Sequence, residues 1–529
     1  FDDSSAIGDD ESSNTNDLTV VNLAATDVVK DSPTNNFCTL SYIDRYVTTN
    51  YLNEGALLMH ATGVNNWVGN ARSTFQVDSG KWYWEVCGVG SGGFFRFGIR
   101  PAHVTLAIGA GDSGNGHEYY PYIKKSVTVG GNATYGSNDD ESMSSAEGVV
   151  WAVALDMDNG TLTIYRNNTS LGQMSSSLTG QQSPTISSYN GSTGFNFGQD
   201  SSFAGAKTAQ GNADGNGIGD FFYAPPSGFL AVCTKNLPDP TIGPTASTLA
   251  TDNFNTVTYT GPISASAAAG TTGAVTGVNF QPDWVWIKAR STVNNHEVFD
   301  SVRGVATNGT KGLIPNTTAA EQADNLNGGL YSLDSDGFTV VAGTDSGGRS
   351  NETGSSDRTY VSWNWKAGGS ASSNSDGSIT SSVSANTAAG FSIVGFEGSG
   401  SAATVGHGLS AAPEMVIVKN RENASGLWLV YHAGIASDAE TDYIHLESTN
   451  AAADDNSAWN DTAPTSSVFS VGTSVASNQS GKDIIAYCFH SVEGYLKVGS
   501  YVGNGQSGDA APFIFTGFRP AWVMYKKSS

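Results

Sequence analysis

Charged side chains are scarce in this 529-residue chain: Asp, Glu, Lys and Arg together make up 14%, against roughly 25% in ordinary soluble proteins. Runs of Glu, Lys, Leu and Ala that would carry long helices are nearly absent, so a helical bundle is excluded. Cysteine is equally sparse. Cys38, Cys87, Cys233 and Cys488 lie far apart with no Cys-x-x-Cys pair, which indicates neither a disulfide framework nor a zinc site and reads as small buried thiols. Basic residues are outnumbered 25 to 49, for a formal charge of −24; long-range attraction to nucleic acid or anionic membrane is thereby opposed. The longest clean apolar run, Val149 to Leu155, is far short of the ~20 residues that cross a bilayer, so we expect a soluble chain with no membrane insertion. The chain opens on Phe1, with no initiator Met, basic segment or signal-like run, so a missing or removed upstream segment is expected.

Glycine, serine, threonine and asparagine are abundant instead. Gly and Asn clusters separate short segments rich in Val, Ile, Thr, Phe, Tyr and Trp, the pattern of an all-β protein. A long-period repeat organises its second half. Gly277-Val-Asn-Phe-Gln-Pro-Asp-Trp-Val-Trp-Ile-Lys288 returns as Gly408-Leu-Ser-Ala-Ala-Pro-Glu-Met-Val-Ile-Val-Lys419 and as Gly517-Phe-Arg-Pro-Ala-Trp-Val-Met-Tyr-Lys526. The step is 131 residues from Pro282 to Pro413 and 107 from Pro413 to Pro520, domain-sized and beyond solenoid periods of roughly 20 to 50. Other columns align. Tyr259-x-Gly261, Phe396-x-Gly398 and Tyr501-x-Gly503 lead the units, Phe338-Thr-Val340 matches Phe469-Ser-Val471, and Tyr360 to Trp365 matches Ile484 to Phe489. These predict tandem β-sandwiches arranged as beads, the third broken off after its first strands, within a longer protein.

The predicted organisation is a polar connector over 1–45 with one short strand at Leu18 to Leu23, then a denser aromatic domain over 46–237. Sandwich repeat 1 covers 238–366, a Gly/Ser-rich linker 367–387, repeat 2 388–493, and the start of a third 494–529. Within 46–237, strand candidates are Trp82 to Val86, Phe94 to Ile99, Val149 to Leu155 and Thr161 to Tyr165. Asp156-Met-Asp-Asn-Gly160 joins the last two as a hairpin, because Asn and Gly tolerate the φ > 0 of tight turns.

Gly80-Lys-Trp-Tyr-Trp-Glu-Val86, Phe97-Gly-Ile99, Trp151 to Arg166 with its hairpin, Pro184 and Phe195-Asn-Phe-Gly198 together resemble a SPRY domain, a bent β-sandwich. The Gly-Trp pair usual around the Phe-Gly-Ile strand is absent. The whole chain also resembles tail-fibre and appendage proteins of marine bacteriophages. That likeness is carried by Asn16 to Leu23, Asp31-Ser-Pro-Thr-Asn-Asn-Phe37, Ala224-Pro-Pro-Ser-Gly-Phe-Leu-Ala231, Asn236-Leu-Pro-Asp239 and the tandem Pro-x-Trp-Val units. It implies a virion-surface, extracellular location, homotrimers, contacts with other virion proteins, and a host-cell glycan or protein receptor.

Catalytic signals are cheap in this composition. Gly111-Asp-Ser-Gly114 with His60 upstream matches a serine-protease phrase, but Thr344-Asp-Ser-Gly-Gly348 repeats it elsewhere, and both read as Gly-rich loops. Asp156-x-Asp158 and Asp334-Ser-Asp-Gly337 lack the closing Glu of an EF-hand loop and read as turns. No cofactor is expected, with Ca2+ elsewhere in an acidic fibre left open. Trp67, His117, Tyr119, Tyr120, Tyr122 and Tyr135 fall in loop-like parts of the SPRY-like region and are the candidate ligand-binding residues, since exposed rings stack on sugar faces. Trp284, Trp286 and Trp522 are assigned to the core, and Lys288, Lys419 and Lys526 to solvated strand ends. The expectation is a non-enzymatic virion appendage that presents a receptor- or glycan-binding surface. The alternatives are a polysaccharide depolymerase on the virion and a secreted bacterial adhesin or surface-layer component.

Overall fold

A computed structural model describes residues 7–10, 14, 16–21, 29–32, 34–46, 51–61, 69–101, 117–120, 125–128, 148–238, 240–243, 246–306, 310–323, 326–344, 353–423, 426–436, 438–501, 503 and 514–528. It divides into two compact units, Phe1–Pro238 with Tyr501–Phe515, and Asp239–Ser500 with Thr516–Ser529. Among the described residues the α-helices are the single turns Asn456–Trp459 and Val475–Asn478. The chain is all-β.

In the first unit, two long strands, Lys81–Pro101 and Gln182–Asn196, pair with each other and run through the whole sheet. Their halves have different neighbours. Trp82 to Val86 lie beside Val150–Asp156, whereas Phe97 to Ile99 lie beside His117–Tyr120, and the ladder slips around Asn190. A bulged strand bends and twists, so apolar side chains from both halves, Trp82, Trp84, Phe95, Phe97 and Ile99, enter one buried core with Trp151, Leu155, Phe195 and Phe197. The predicted hairpin is present, with Gly160 at φ 64°. Asp156 accepts hydrogen bonds from the Asn159 backbone and side-chain amides at 3.0 and 2.9 Å, and Asp158 accepts from Gly80 N–H at 2.7 Å.

The connector ends earlier than expected. Phe37, Cys38 and Leu40 are buried, and Leu40–Tyr46 pairs with Gly69–Ser73. Leu18 to Val21 are exposed and carry no ladder, in place of the expected short strand. All four cysteines are buried thiols. Burial pushes Cys38 and Cys488 up to about 12 and Cys87 to about 11, so they stay protonated.

The second unit contains the repeat twice. In the first copy a four-stranded sheet runs Phe254–Thr260, Thr359–Trp365, Trp284–Ala289, His296–Asp300. In the second copy Phe391–Glu397, Asp483–Phe489, Met415–Asn420 and Trp428–His432 stand in the same order, inside an eight-stranded sheet. Register agrees column by column: Tyr259 faces Tyr360 as Phe396 faces Ile484, and Trp284 faces Trp365 as Met415 faces Phe489. The smaller sheet matches too, with Val275 opposite Phe338 and Val405 opposite Phe469.

The recurring glycines have two physical reasons. Gly277, Gly408 and Gly517 all adopt positive φ, 90°, 69° and 82°, which L-residues rarely accept. Gly261 and Gly398 leave room for backbone, since a Cβ would come within 2.1 Å of Ser355 O and 2.3 Å of Gln479 O.

The beads are fused. Val285 and Ile287 face one core, with Phe338, Val340 and Tyr360. Trp284 and Trp286 face the opposite way, into a second core shared with Phe391, Ile393, Ile417, Tyr487 and Phe489 of the other repeat. Strands buried on both faces read as continuous apolar runs, which is what Trp284-Val-Trp-Ile287 and Val416-Ile-Val418 are. The sandwich core of the second repeat, around Val394, Phe396, Val416, Phe469 and Val471, lies on its other side.

The stretch 367–387, expected as a linker, is structured. Ser372–Asn374 and Ser381–Asn386 extend the eight-stranded sheet beside Phe391–Glu397, because Val383 and Ala385 alternate toward the core despite the serines around them. Residues 514–528 carry no strand. Trp522 instead lays its ring against Trp365 at 5.3 Å and Phe254 at 6.2 Å, half-buried rather than in a third sandwich.

Candidate binding site

Of the six aromatic and histidine candidates, Trp67, Tyr122 and Tyr135 lie outside the described residues. His117, Tyr119 and Tyr120 form the strand His117–Tyr120, a sheet element rather than a loop, paired to Phe97–Ile99 and to Lys125–Thr128. Gly111 to Gly114 also lie outside the described residues. His60 sits in a cross-strand pair with Ser192, Nδ1 to Oγ 2.5 Å, beside Tyr51.

Glu85, from the Gly-x-x-Tyr-Trp-Glu strand, is fully buried. Its carboxylate accepts N–H bonds from Phe222 at 2.8 Å and Tyr223 at 2.7 Å, from Asn196 Nδ2 at 3.0 Å and from the Tyr83 hydroxyl at 3.2 Å. Burial outweighs these bonds and raises it to about 7. It ties the 222–223 segment to the sheet, and all its partners are protein groups.

A cleft of about 240 Å³ opens between the two repeats of the second unit, lined by Val302, Arg303, Phe396, Arg421, Asp483 and others. Arg303, Arg421 and Asp483 of its wall are paired. Arg303 donates to Asp300 at 2.5 Å and to Val298 O at 3.0 Å, and Tyr487 OH donates to the same Asp300 oxygen at 2.7 Å. Glu321 accepts from Arg421 Nε at 2.6 Å and Nη2 at 3.0 Å, and Arg421 Nη1 donates to Asp483 at 2.9 Å. Burial opposes the charge on Arg303, but Asp300 more than offsets it and holds the guanidinium above its ordinary value. The cluster crosses between repeats and so fixes their register.

The repeat lysines are not solvated strand ends. Lys419 is buried, and its Nζ donates to Thr318 O at 3.0 Å and to Gly426 O, 5.7 Å from the Trp428 ring centroid. Burial lowers it to about 8, against the pull of Glu447. Lys288 donates to Ala289 O at 2.9 Å and Lys526 to Ser448 O. The column supplies donors to backbone carbonyls.

The last feature of this unit is an open group of rings at the edge of the shared core. Trp286 Nε1 donates to His296 Nδ1 at 2.9 Å. The ring of His296 is nearly parallel to that of Trp363, 16° apart with centroids at 6.4 Å, and Trp286 stands across both at 77° and 88°. Trp286 is 8% exposed, while His296 and Trp363 are half-buried. Because Nδ1 accepts a hydrogen bond, the proton of the neutral ring is on Nε2. Burial, with Lys288 nearby, lowers His296 to about 4. Asn316 Oδ1 takes the His296 backbone N–H at 3.1 Å, and Asn316 Nδ2 donates to Asn295 at 2.9 Å. Sequence reading placed Trp286 in the core and singled out neither His296 nor Trp363. The available signal was Trp-x-Trp on two separate segments, Trp284 to Trp286 and Trp363 to Trp365, which antiparallel pairing lays side by side.

Residues 249–529, more than half of the chain and nearly all of the second unit, match the family described as Domain of unknown function (DUF7483). The chain belongs to this family. Comparison with curated proteins found no match. Among solved structures, the SPRY domain of human HERC1 is similar over 30% of this chain and 96% of its own, at 14% identity and a TM-score of 0.25. The TRIM65 PSpry domain is similar over 30% and 90%, at 14% and 0.24, and stonustoxin over 30% and 27%, at 17% and 0.25. The strand pairing of the first unit is that of one sheet, whose long strands bring Trp84 and Phe97 into one core. The DUF7483 region is the fused pair of repeats with its ion cluster and its ring group.

Proposed function

We propose that this chain is a non-enzymatic virion appendage of tail-fibre type, whose β-sandwiches carry a surface that binds a host-cell receptor or glycan. The virion location rests on the sequence phrases that resemble those of marine phage appendages. One structural observation favours binding over hydrolysis: of the two carboxylates that line the cleft between the repeats, Asp483 and Glu397, Asp483 is held by Arg421, which also holds Glu321. Glycoside hydrolysis needs one carboxyl group kept protonated as general acid beside a second carboxylate, and an arginine partner favours the ionised form. Two repeats joined through a shared core suit display, in which several copies raise avidity without a strong single site. Homotrimeric assembly belongs to the same reading.

The test is to incubate labelled protein with intact candidate host bacteria and measure both retention on cells and reducing ends released. Retention without release is the expected result. Sugar release would make the chain a depolymerase, and neither retention nor release would refute the binding reading.

A further inference from the structure

We propose that the ring group of Trp286, His296 and Trp363 is a binding site for an uncharged pyranose residue of a glycan. This rests on the glycan-binding reading above and assigns it a place in the DUF7483 region rather than in the SPRY-like one.

Three observations combine. The first is comparison between the repeats. The residues that stand where Trp286, His296 and Trp363 stand are Ile417, Trp428 and Tyr487 in the second repeat, and all three are buried in the shared core. Trp428 is sealed there by its Nε1–H donating to Ile314 O at 3.3 Å, and Tyr487 by its bond to Asp300. The sandwich architecture therefore has a closed solution at these columns. In the first repeat His296 and Trp363 are left half-open.

The second is the disposition of hydrogen-bond donors. Trp286 Nε1–H is taken by His296 Nδ1, so the His296 proton is at Nε2. Neither His296 Nε2 nor Trp363 Nε1 has a hydrogen-bond partner among the described residues, and neither is among the buried unpaired atoms, so both N–H groups face solvent. Ring faces set beside outward donors offer the two contacts that a pyranose makes, an apolar C–H face and hydroxyl oxygens.

The third is charge. His296 faces Lys288 across the ladder, and the Lys288 ammonium opposes a cationic guest such as a quaternary amine, which an aromatic group alone would otherwise favour. The chain's net charge of −24 opposes an anionic one. An uncharged, hydroxylated guest fits what remains. Its C–H face rests on the half-exposed Trp363 ring. Its hydroxyls, or those of the next residue in the glycan, accept from His296 Nε2–H and Trp363 Nε1–H.

The experiment uses the full chain and a panel of methyl pyranosides (glucoside, galactoside, mannoside and N-acetylglucosaminide), with saturation-transfer NMR reporting which is bound. Trp363→Ala and His296→Gln are compared with the native chain at matched thermal midpoints, and Trp363→Phe stands in for any variant that fails to fold. The expected result is transfer to at least one pyranoside, weakened about tenfold in affinity by Trp363→Ala and less by His296→Gln. Transfer that survives both substitutions would place sugar binding elsewhere and overturn this site while leaving the glycan-binding reading intact. No transfer to any pyranoside would also overturn it, and cell retention measured in parallel decides the broader reading separately.

Discussion

Replacing Trp284 by alanine is expected to unfold both repeats together. The ring is 2% exposed and has neighbours on both sides: Trp365 and Trp286 of its own repeat at 4.4 and 5.7 Å, and Tyr487, Phe391 and Phe489 of the other at 4.5, 5.6 and 5.9 Å. Burying roughly 200 Å² of indole at about 25 cal/mol per Å² is worth about 5 kcal/mol. The buried Nε1–H has no partner, which takes back about 1 kcal/mol. The net loss of about 4 kcal/mol lies within the range of core Trp→Ala changes. Trp284→Phe keeps most of the ring contacts and removes the unpaired N–H, so it should cost about 1 to 2 kcal/mol. The assay is guanidinium unfolding followed by pulse proteolysis, with mass spectrometry showing which peptides of residues 249–529 become cleavable. If the shared core couples the repeats, peptides from both open at one midpoint, and Trp284→Ala lowers that midpoint for both. The reasoning is refuted if peptides from 391–489 keep their native midpoint while those from 254–365 open early.

Four further outcomes follow from the buried charges and close contacts. Lys419 is lowered to about 8 from an ordinary 10.5, so the folded state binds fewer protons between those values and its stability should rise with pH across about 8 to 10.5, by up to about 3 kcal/mol; Lys419→Met should abolish that slope in a pH series of urea melts. Glu85 is raised to about 7 from 4.5, so the folded state binds the extra proton and stability should fall as pH rises from about 4.5 to 7. Glu85→Gln should flatten this dependence while costing about 1 to 3 kcal/mol for backbone N–H groups left short of an acceptor, read by thermal unfolding at several pH values. Arg421→Ala should destabilise the second unit by about 2 kcal/mol, below the range for fully buried pairs because a fifth of the side chain is exposed, and calorimetry that finds no change would dismiss the cluster as a lock. Gly398→Ala should cost about 1 to 3 kcal/mol by forcing Gln479 O away from the new methyl group, whereas Gly481→Ser, at a position with open space around it, should be limited to the backbone strain of its positive φ; both are measured by chemical denaturation.

Strand positions and repeat columns were legible because they depend on local pattern. Pro before Trp-Val, Asn-Gly between apolar runs and glycine at fixed offsets each specify a turn or an edge within a few residues, and Tyr259, Trp284, Phe338 and Tyr360 occupy the places their matches in the second repeat predict. The hairpin at Asp156 to Gly160 was readable for the same reason. The candidate site was less legible. Trp286 and His296 meet across a short hairpin, but Trp363 joins them only when its strand pairs on the other side of the Trp286 strand, a long-range pairing that neither segment's own pattern encodes. The six residues of the SPRY-like region suggested by ring chemistry are a different set, of which His117, Tyr119 and Tyr120 lie on a paired strand.

By itself the amino-acid sequence determined an all-β chain, a repeat of domain size and the identity of each repeat column, because period, turn residues and β-branched or aromatic content act over short spans. Tertiary structure alone decided what the second face of each repeat sheet meets. Trp284 and Trp286 could have been the exposed face of a separate bead or the floor of an interface, since alternation tells which residues share a face and not what covers it. The same holds for Lys419, whose four-carbon stem reaches solvent on an isolated strand and carbonyl oxygens once Thr318 and Gly426 close over it. Burial is a property of what packs against a side chain, and here that partner is more than 100 residues away in the chain for Lys419 and Thr318.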